Sequence, residues 1–481
     1  MPRRALPLLA LAAALSTSAP ALAQKALGTN IHQSPTVGVE IAREARLGWV
    51  RIDLNWFNVE GAQGKEDWSV IDAVVDAARS RDLQVLGVIG YGPSWASAGD
   101  KKGDGSINDV PKPGTYADFV ARVVQRYQGK ITHYELWNEP NLGEFFEGTP
   151  ADYLDRVLRP GASAVHEKCP SCKVLAPGIA SIGKDYDAWM DAVLAAAKDD
   201  IDIVSGHIYA GFPADDPGSG KTSDSFFNRL EHHRVVTLNG TVLHESPLSF
   251  REVMDKHKVQ KPFWLTETGR QAPLGDAAKE EAQRRHYQRV LEAMLRRPWW
   301  QGTIFYEAFD EPSTPDLTWG LGLHDDSAPG GFHPKPALGF LKKVIGAQPQ
   351  FGGKNTDCMD FLDNDGDGKI DFPEDEGCSG GATAEGPPQP EYDKGDAAGA
   401  AGEAGAAGSG AGASGTAGEA GQGGSGLRSD LELNDGSTTE DDGCAQGQGR
   451  GGRGGAALVA LAGALLARRR RPWPSSGEGR G

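Results

Sequence analysis

ITHYELWNEPN, residues 131–141, sets an apolar run against a polar tip. Ile131, Tyr134, Leu136 and Trp137 read as a buried strand. Asn138-Glu139-Pro140-Asn141 then deliver an amide, a carboxylate and a proline at its end. A buried strand with a polar tip is what a parallel barrel needs, because its chemistry sits at the carboxyl ends of the strands.

Working outward, the same rhythm recurs from Lys25 to about Gln350. Strand-like runs lie at 26–32, 49–56, 84–92, 131–139, 173–181, 201–209, 262–269 and 302–310. They are continuous apolar runs rather than strict alternations, as parallel strands covered on both faces should be. Between them lie amphipathic stretches: Ile71, Val74, Val75 and Ala78 keep helical spacing, as do Phe119, Val123 and Val124. Eight βα-like units in about 325 residues have the size of an α/β (β/α)8 TIM barrel. A doubly wound open sheet is the competing architecture. It would want a glycine-rich phosphate loop after the first strand, and none is there.

Strand ends are therefore where chemistry is sought. The fourth strand ends in Asn138-Glu139, the sixth in His207-Ile208-Tyr209 and the seventh in Glu267. Arg51 lies on the second, and Tyr306 to Glu311 close the eighth. Two glutamates at one barrel mouth suggest glycoside hydrolysis, which needs a proton donor and a second carboxylate opposite it. At ~5–5.5 Å the second carboxylate is a nucleophile and the anomeric configuration is retained; at ~6.5–9.5 Å it is a base and the configuration inverts. Strands four and seven face each other across such a barrel. Glu307, Asp310 and Glu311 read as solvated loop carboxylates. Trp95 and Trp319 are either packing residues or stacking faces for sugar rings.

These residues resemble clan A glycoside hydrolases, retaining enzymes on (β/α)8 barrels, over roughly residues 26–345. YELWNEPN resembles the acid/base motif, which implies Asn138 on the sugar 2-hydroxyl and Glu139 as acid/base. TETG resembles the nucleophile strand and implies Glu267; SGHIY implies His207 and Tyr209 as supporting residues. GWVRIDLNWFNVEG looks like the second-strand region of families 39 and 5, where the arginine, here Arg51, holds the nucleophile. HPKPALGFL resembles the closing segment. WNEPN and the opening GTNIH favour family 39, with family 5 as the competitor. Many members carry a tryptophan on strand eight beneath the sugar; GTIFYEAFDEP offers Tyr306 or Phe309 instead. The implied activity is hydrolysis of O-glycosidic bonds in oligo- or polysaccharides, with no cofactor for catalysis. A non-catalytic carbohydrate-binding barrel and a cell-surface adhesion protein are the alternatives. On this reading the nearby charge of Glu267 is expected to raise the pKa of Glu139.

The rest of the 481 residues divides by composition. A basic start, an apolar run from Ala5 to Leu15 and Ala21-Leu22-Ala23 read as a secretory signal at 1–24, or else an uncleaved anchor. The net charge of −17 argues against nucleic acid as a partner. Cys169 and Cys172, spaced C-x-x-C, could bind zinc or do redox chemistry; in an exported chain a short-loop disulfide is preferred. In 351–380, Asp363, Asp365, Asp367, Asp371 and Glu374 fall at positions 1, 3, 5, 9 and 12 of an EF-hand-like Ca2+ loop. Gly368 stands at the turn position and Lys369 offers its carbonyl at position 7. Cys358 and Cys378 bracket this loop and are expected to pair. It is similar to thrombospondin type 3 or dockerin repeats. Residues 381–443 are a Gly/Ala/Ser/Glu linker that can bury no core. In 444–481, Cys444, an apolar run (456–467) and Arg468–Arg471 resemble the C-terminal sorting tags of myxobacteria. The run is shorter than the ~20 residues of a membrane span. Secretion or a cell-surface location follows, with membrane contact only through the tag.

Overall fold

The computed structural model describes residues 24–348 and 351, except 33–34, 100–106, 183–184, 210–224, 232–234, 239–240, 245–246 and 326–330. The leader up to residue 23, the Ca2+ loop with its cysteines, the linker and the tag lie outside the described residues.

Eight parallel strands follow one another along the chain. They are β1 Ala26–Ile31, β2 Trp49–Asn55, β3 Gln84–Gly90 and β4 His133–Leu136. β5 comes in two pieces, Lys173–Leu175 and Ile179–Ala180. β6 Val204–His207, β7 Phe263–Thr268 and β8 Trp300–Phe305 complete them. Each falls within a run expected from the sequence or extends it by a residue or two. The hydrogen-bonded order begins with one piece of β5, passes through β4, β3, β2, β1, β8, β7 and β6, and ends on the other piece of β5. Parallel bridges join Leu175 to Ile203 and Asn138 to Gly178 across the break at Pro177. The sheet thus meets itself, giving an α/β barrel of the TIM type.

Helices cover the outside: α1 Pro35–Glu44, α2 Ser69–Arg79, α3 Thr115–Arg126, α4 Arg159–Lys168, α5 Tyr186–Ala197, α6 Phe250–Lys256, α7 Ala277–Leu295 and α8 Pro336–Ala347. Helix α2 buries Ile71, Val74, Val75 and Ala78, the i, i+3, i+4, i+7 face read from the sequence. Helix α3 buries Phe119, Val123 and Val124, together with Tyr116 and Val120. Two antiparallel pairs stand outside the barrel, Val235–Leu238 with Thr241–His244 and Gly322–His324 with Phe332–Pro334. Cys169 and Cys172 are disulfide-bonded in the turn between α4 and β5, the pairing preferred from their C-x-x-C spacing.

Strand periodicity decides what enters the barrel. On β2, Val50, Ile52 and Leu54 join the large core beneath the helices, while Trp49, Arg51 and Asp53 point inward. Trp49, Leu86, Leu175, Ile203, Trp264 and Ile304 pack as an apolar floor. His133 lies against the rings of Trp49 and Trp264. Trp264 fits because its neighbour strand carries Gly302, where a Cβ would come within 2.3 Å of the indole. Above this floor the inward residues turn polar.

Candidate active site

The seventh strand is irregular where it matters. Its register against both β6 and β8 shifts after Leu265. A bulge of this kind re-aims a side chain. Thr266 and Glu267, adjacent in sequence, therefore both reach the interior. Thr266 Oγ1 donates to Glu135 Oε1 at 2.8 Å, and Glu267 Oε1 accepts from Arg51 Nη1 at 2.7 Å. A regular strand would send one of the two outward.

Arg51 organises the polar layer. Its Nε donates to Glu135 Oε2 at 2.8 Å and its Nη2 to Asn138 Oδ1 at 2.8 Å. Nη1 also reaches Asn30 Oδ1 at 3.2 Å. The guanidinium is 1% exposed, so its charge is opposed only by partners the fold supplies. Glu135 is fully buried and accepts further from Ser205 Oγ at 2.8 Å. Tyr209 donates its hydroxyl to Glu267 Oε2 at 2.6 Å. Each oxygen of Glu267 thus accepts from a donor, one of them a permanent cation.

Glu139 is held differently. Its Oε1 lies 2.7 Å from His207 Nδ1. Burial pushes its pKa up to about 8; Arg51 pulls the other way, and Glu135 and Glu144 add to the rise. Burial, rather than a neighbouring charge, is the largest cause of the rise. Burial also lowers His207 to about 4, so the imidazole is neutral at pH 7. Gly178 makes room for that ring, since a Cβ there would lie 2.1 Å from His207 Nε2. One carboxylate oxygen of Glu139, one of Glu267 and a ring nitrogen of His207 all lie within 4.8 Å of one another.

The tip of β4 is bent to present its glutamate. Trp137 (φ 80°) and Glu139 (φ 43°) adopt left-handed backbone, costly for side chains with a Cβ. Neighbouring bonds hold the bend. Trp137 N–H bonds Ile89 O at 2.9 Å, its indole N–H bonds Phe145 O at 2.8 Å, and Glu139 N–H bonds Gly178 O at 3.0 Å. Asn141 pairs with both backbone groups of Ala180, donating at 2.9 Å and accepting at 3.0 Å. The final asparagine of WNEPN is thus a clamp onto β5.

Of the aromatic residues expected at the mouth, Tyr306 and Trp319 pack with Tyr209 in one buried cluster. The ring centroids of Tyr209 and Trp319 are 5.1 Å apart. Trp95, in the loop after β3, is half-buried: its indole donates to Glu60 O at 2.9 Å and packs edge-on against Trp56. Phe309 joins the core beneath the helices. Glu307 and Asp310 are not solvated loop carboxylates, being only 6% and 5% exposed. Asp310 forms a buried ion pair with Lys335 at 2.6 Å, tying the loop after β8 to the start of α8. Burial pushes Glu307 up to about 8; His32 opposes the rise, while Asp310 and Glu267 add to it.

Glu139, His207 and Glu267 are also close enough to share a metal ion. Two features oppose that use. The Arg51 cation already sits on Glu267, and His207 Nδ1 is engaged by Glu139.

Sequence reasoning missed Glu135, Asn30, Tyr91 and the His32–Asp53 pair. Glu135 had a visible signal, a lone carboxylate inside an apolar run. Tyr91, at the tip of β3, receives Asn138 Nδ2 at 3.3 Å. His32 Nδ1 pairs with Asp53 Oδ2 at 2.9 Å across β1 and β2.

No protein-family model and no curated protein matches the chain. Solved structures do. A family 39 glycoside hydrolase from the gut symbiont Bacteroides cellulosilyticus WH2 superposes with a TM-score of 0.49 at 19% identity, over 66% of this chain and 63% of that one. This chain therefore spans less than two thirds of that relative. A monomeric beta-xylosidase from Caulobacter crescentus CB15 gives 0.45 at 18% identity over 68% of each chain. Xylanase 10B from Thermotoga maritima gives 0.47 at 13% identity, over 66% of this chain and 94% of that one. At these values the likeness assigns no chemistry to this chain.

Proposed function

We propose that this chain is a glycosidase that cleaves O-glycosidic bonds of oligo- or polysaccharides by double displacement, with retention of configuration. The carrying observation is the pair of buried glutamates, with oxygens within 4.8 Å of each other, in unlike environments. Glu267 is the nucleophile, gripped by Arg51 and Tyr209. Its lone pairs are fixed in place for attack on the anomeric carbon. Glu139 is the acid, because burial keeps its proton on at neutral pH. For the proton to face the leaving oxygen, His207 must present Nδ1–H to Oε1 and leave the acidic hydrogen on Oε2. Once the glycosyl-enzyme forms, Glu139 is a carboxylate and takes a proton from the incoming water. Asn138, fixed by Arg51, offers its amide edge to the 2-hydroxyl. The separation favours retention over inversion, which wants ~6.5–9.5 Å for an intervening water.

The finer assignment to clan A, and to family 39 within it, rests on the WNEPN, TETG and GTNIH motifs. We further propose export by the leader at 1–24 and surface retention by the tag at 444–481. A Ca2+ loop at 363–374, clasped by Cys358–Cys378, would be structural rather than catalytic. Its carboxylate spacing supports this, and a calorimetric titration of the full chain showing no Ca2+ uptake would remove it. The enzymatic proposal is tested with a panel of aryl glycosides and polysaccharides. Turnover lost in Glu139→Ala and Glu267→Ala supports it, and full activity in either variant would sink it.

A further inference from the structure

Strand β1 sends one column of residues into the barrel. Gly28 is part of the floor, where a Cβ would lie 2.7 Å from Ile304 Cδ1. Asn30 and His32 come next, one and two inward positions nearer the mouth. Each has one side of its polar group fixed. Asn30 Oδ1 accepts from Arg51 Nη1 at 3.2 Å, the nitrogen that also donates to Glu267. His32 Nδ1 is held by Asp53 at 2.9 Å, and its ring lies 5.3 Å from that of Tyr306. The other side of each group is buried and, among the described residues, has no hydrogen-bond partner: Asn30 Nδ2 and His32 Nε2. Folded proteins leave few buried donors unpaired, so two on one inward column need an explanation.

Their place in the barrel supplies one. β1 pairs with β8 on one side and β2 on the other, and β8 pairs with β7, which carries Glu267. His207 and Tyr209 come from the opposite flank of β7, on and just after β6. A sugar seated on Glu267 thus has β6 on one side, and β8 with β1 on the other.

We propose that β1 supplies a recognition edge for that sugar: Asn30 Nδ2 and His32 Nε2 donate to its ring hydroxyls on the flank away from His207 and Tyr209. This rests on the glycosidase reading above. Burial pulls the His32 pKa down, but the charge and hydrogen bond of Asp53, with Glu307 and Glu267 beyond, raise it to about 9. At pH 7 both ring nitrogens carry hydrogen, so Nε2 is a donor. Asn30 keeps its amide edge open because Arg51 fixes which end is the oxygen. The ligand class is a pyranose or furanose bearing free hydroxyls opposite its 2-position contacts. A chain substituted at those hydroxyls would be excluded.

The test compares wild type, His32→Phe, His32→Gln and Asn30→Asp. Each is assayed on an accepted aryl glycoside and its monodeoxy analogues, after circular dichroism confirms folding. Asn30→Asp keeps the acceptor for Arg51 and removes the donor. His32→Phe is expected to lose ~10- to 100-fold in kcat/KM on the parent substrate. It should also become indifferent to removal of one particular hydroxyl that costs wild type a similar factor. His32→Gln, which can donate from nearly the same place, should recover most of the loss. Asn30→Asp should show the same indifference at another hydroxyl. Equal loss in the Phe and Gln variants, or variants that discriminate among deoxy sugars as wild type does, would overturn the inference while leaving the enzyme intact. A wild type that hydrolyses none of the substrates instead removes the glycosidase reading, and this inference with it.

Discussion

The tips of β4 and β7 each present one glutamate, and they are built in opposite ways. Glu267 arrives by a bulge into a layer of donors, with Arg51 on one oxygen and Tyr209 on the other. Glu139 arrives by a bent backbone into a site with one neutral imidazole and little solvent. Chemically identical side chains are thus set in unlike surroundings, one gripped by a donor on each oxygen and the other a desolvated acid that holds its proton. The difference lies in the neighbours each strand tip meets and not in the glutamates themselves.

The largest effects should come from erasing either side of that contrast. Glu267→Ala is expected to lower kcat by on the order of 10⁴-fold or more, with no rescue by azide in the first-formed product configuration. Glu139→Ala should fall comparably on poor leaving groups. It should keep more activity on activated aryl glycosides, where azide restores turnover and yields a glycosyl azide of retained configuration. Equal behaviour of the two variants under azide would remove the division of roles.

Weakening one side should cost less. Tyr209→Phe removes one donor from Glu267, and kcat is expected to drop by roughly 10²-fold, as for loss of a single preorganised donor. A drop no larger than twofold would mean that Arg51 alone holds the nucleophile.

The pH profile reads the other side. Glu139 must be protonated to act as acid, and its pKa is raised to about 8. Activity should therefore fall as pH rises through about 8, and a limb near 5 would contradict the burial argument. The same shift carries a stability sign. In the unfolded chain Glu139 ionises near 4.5, while in the fold it keeps its proton until about 8. Stability is unaffected below 4.5 and is lost progressively as pH rises from there to 8. Glu139→Gln removes that loss, so the inactive variant should be more stable at pH 7 by up to about 3 kcal/mol. Denaturant melts at pH 4 and pH 7 would read it, with a gain only at pH 7.

Much of this was legible beforehand. The eight strands, Arg51 and the glutamates of WNEPN and TETG follow from runs and strand ends, which depend on local periodicity. What escaped depends on register and closure. The bulge that turns both Thr266 and Glu267 inward is a slip between strands, visible only once they pair. Glu135 sat in plain view as one charge in an apolar run, but its partners Arg51, Ser205 and Thr266 come from three other strands. Glu307 and Asp310 look like loop carboxylates in GTIFYEAFDEP; the chain after β8 folds back and buries them. Trp95 packs edge-on against Trp56 yet stays half-buried, so it keeps both of the roles its place along the chain suggested.

The central claim is that Glu267 becomes covalently bonded to the sugar. It is tested most directly by inactivating the enzyme with an activated 2-deoxy-2-fluoro glycoside of an accepted sugar, then locating the adduct by peptide mass spectrometry. The expected result is one sugar per chain, on Glu267 within Trp264-Leu265-Thr266-Glu267-Thr268, and none in Glu267→Gln. An adduct on Glu139 or any other residue, or continued turnover with no adduct and an inverted first product, would contradict it.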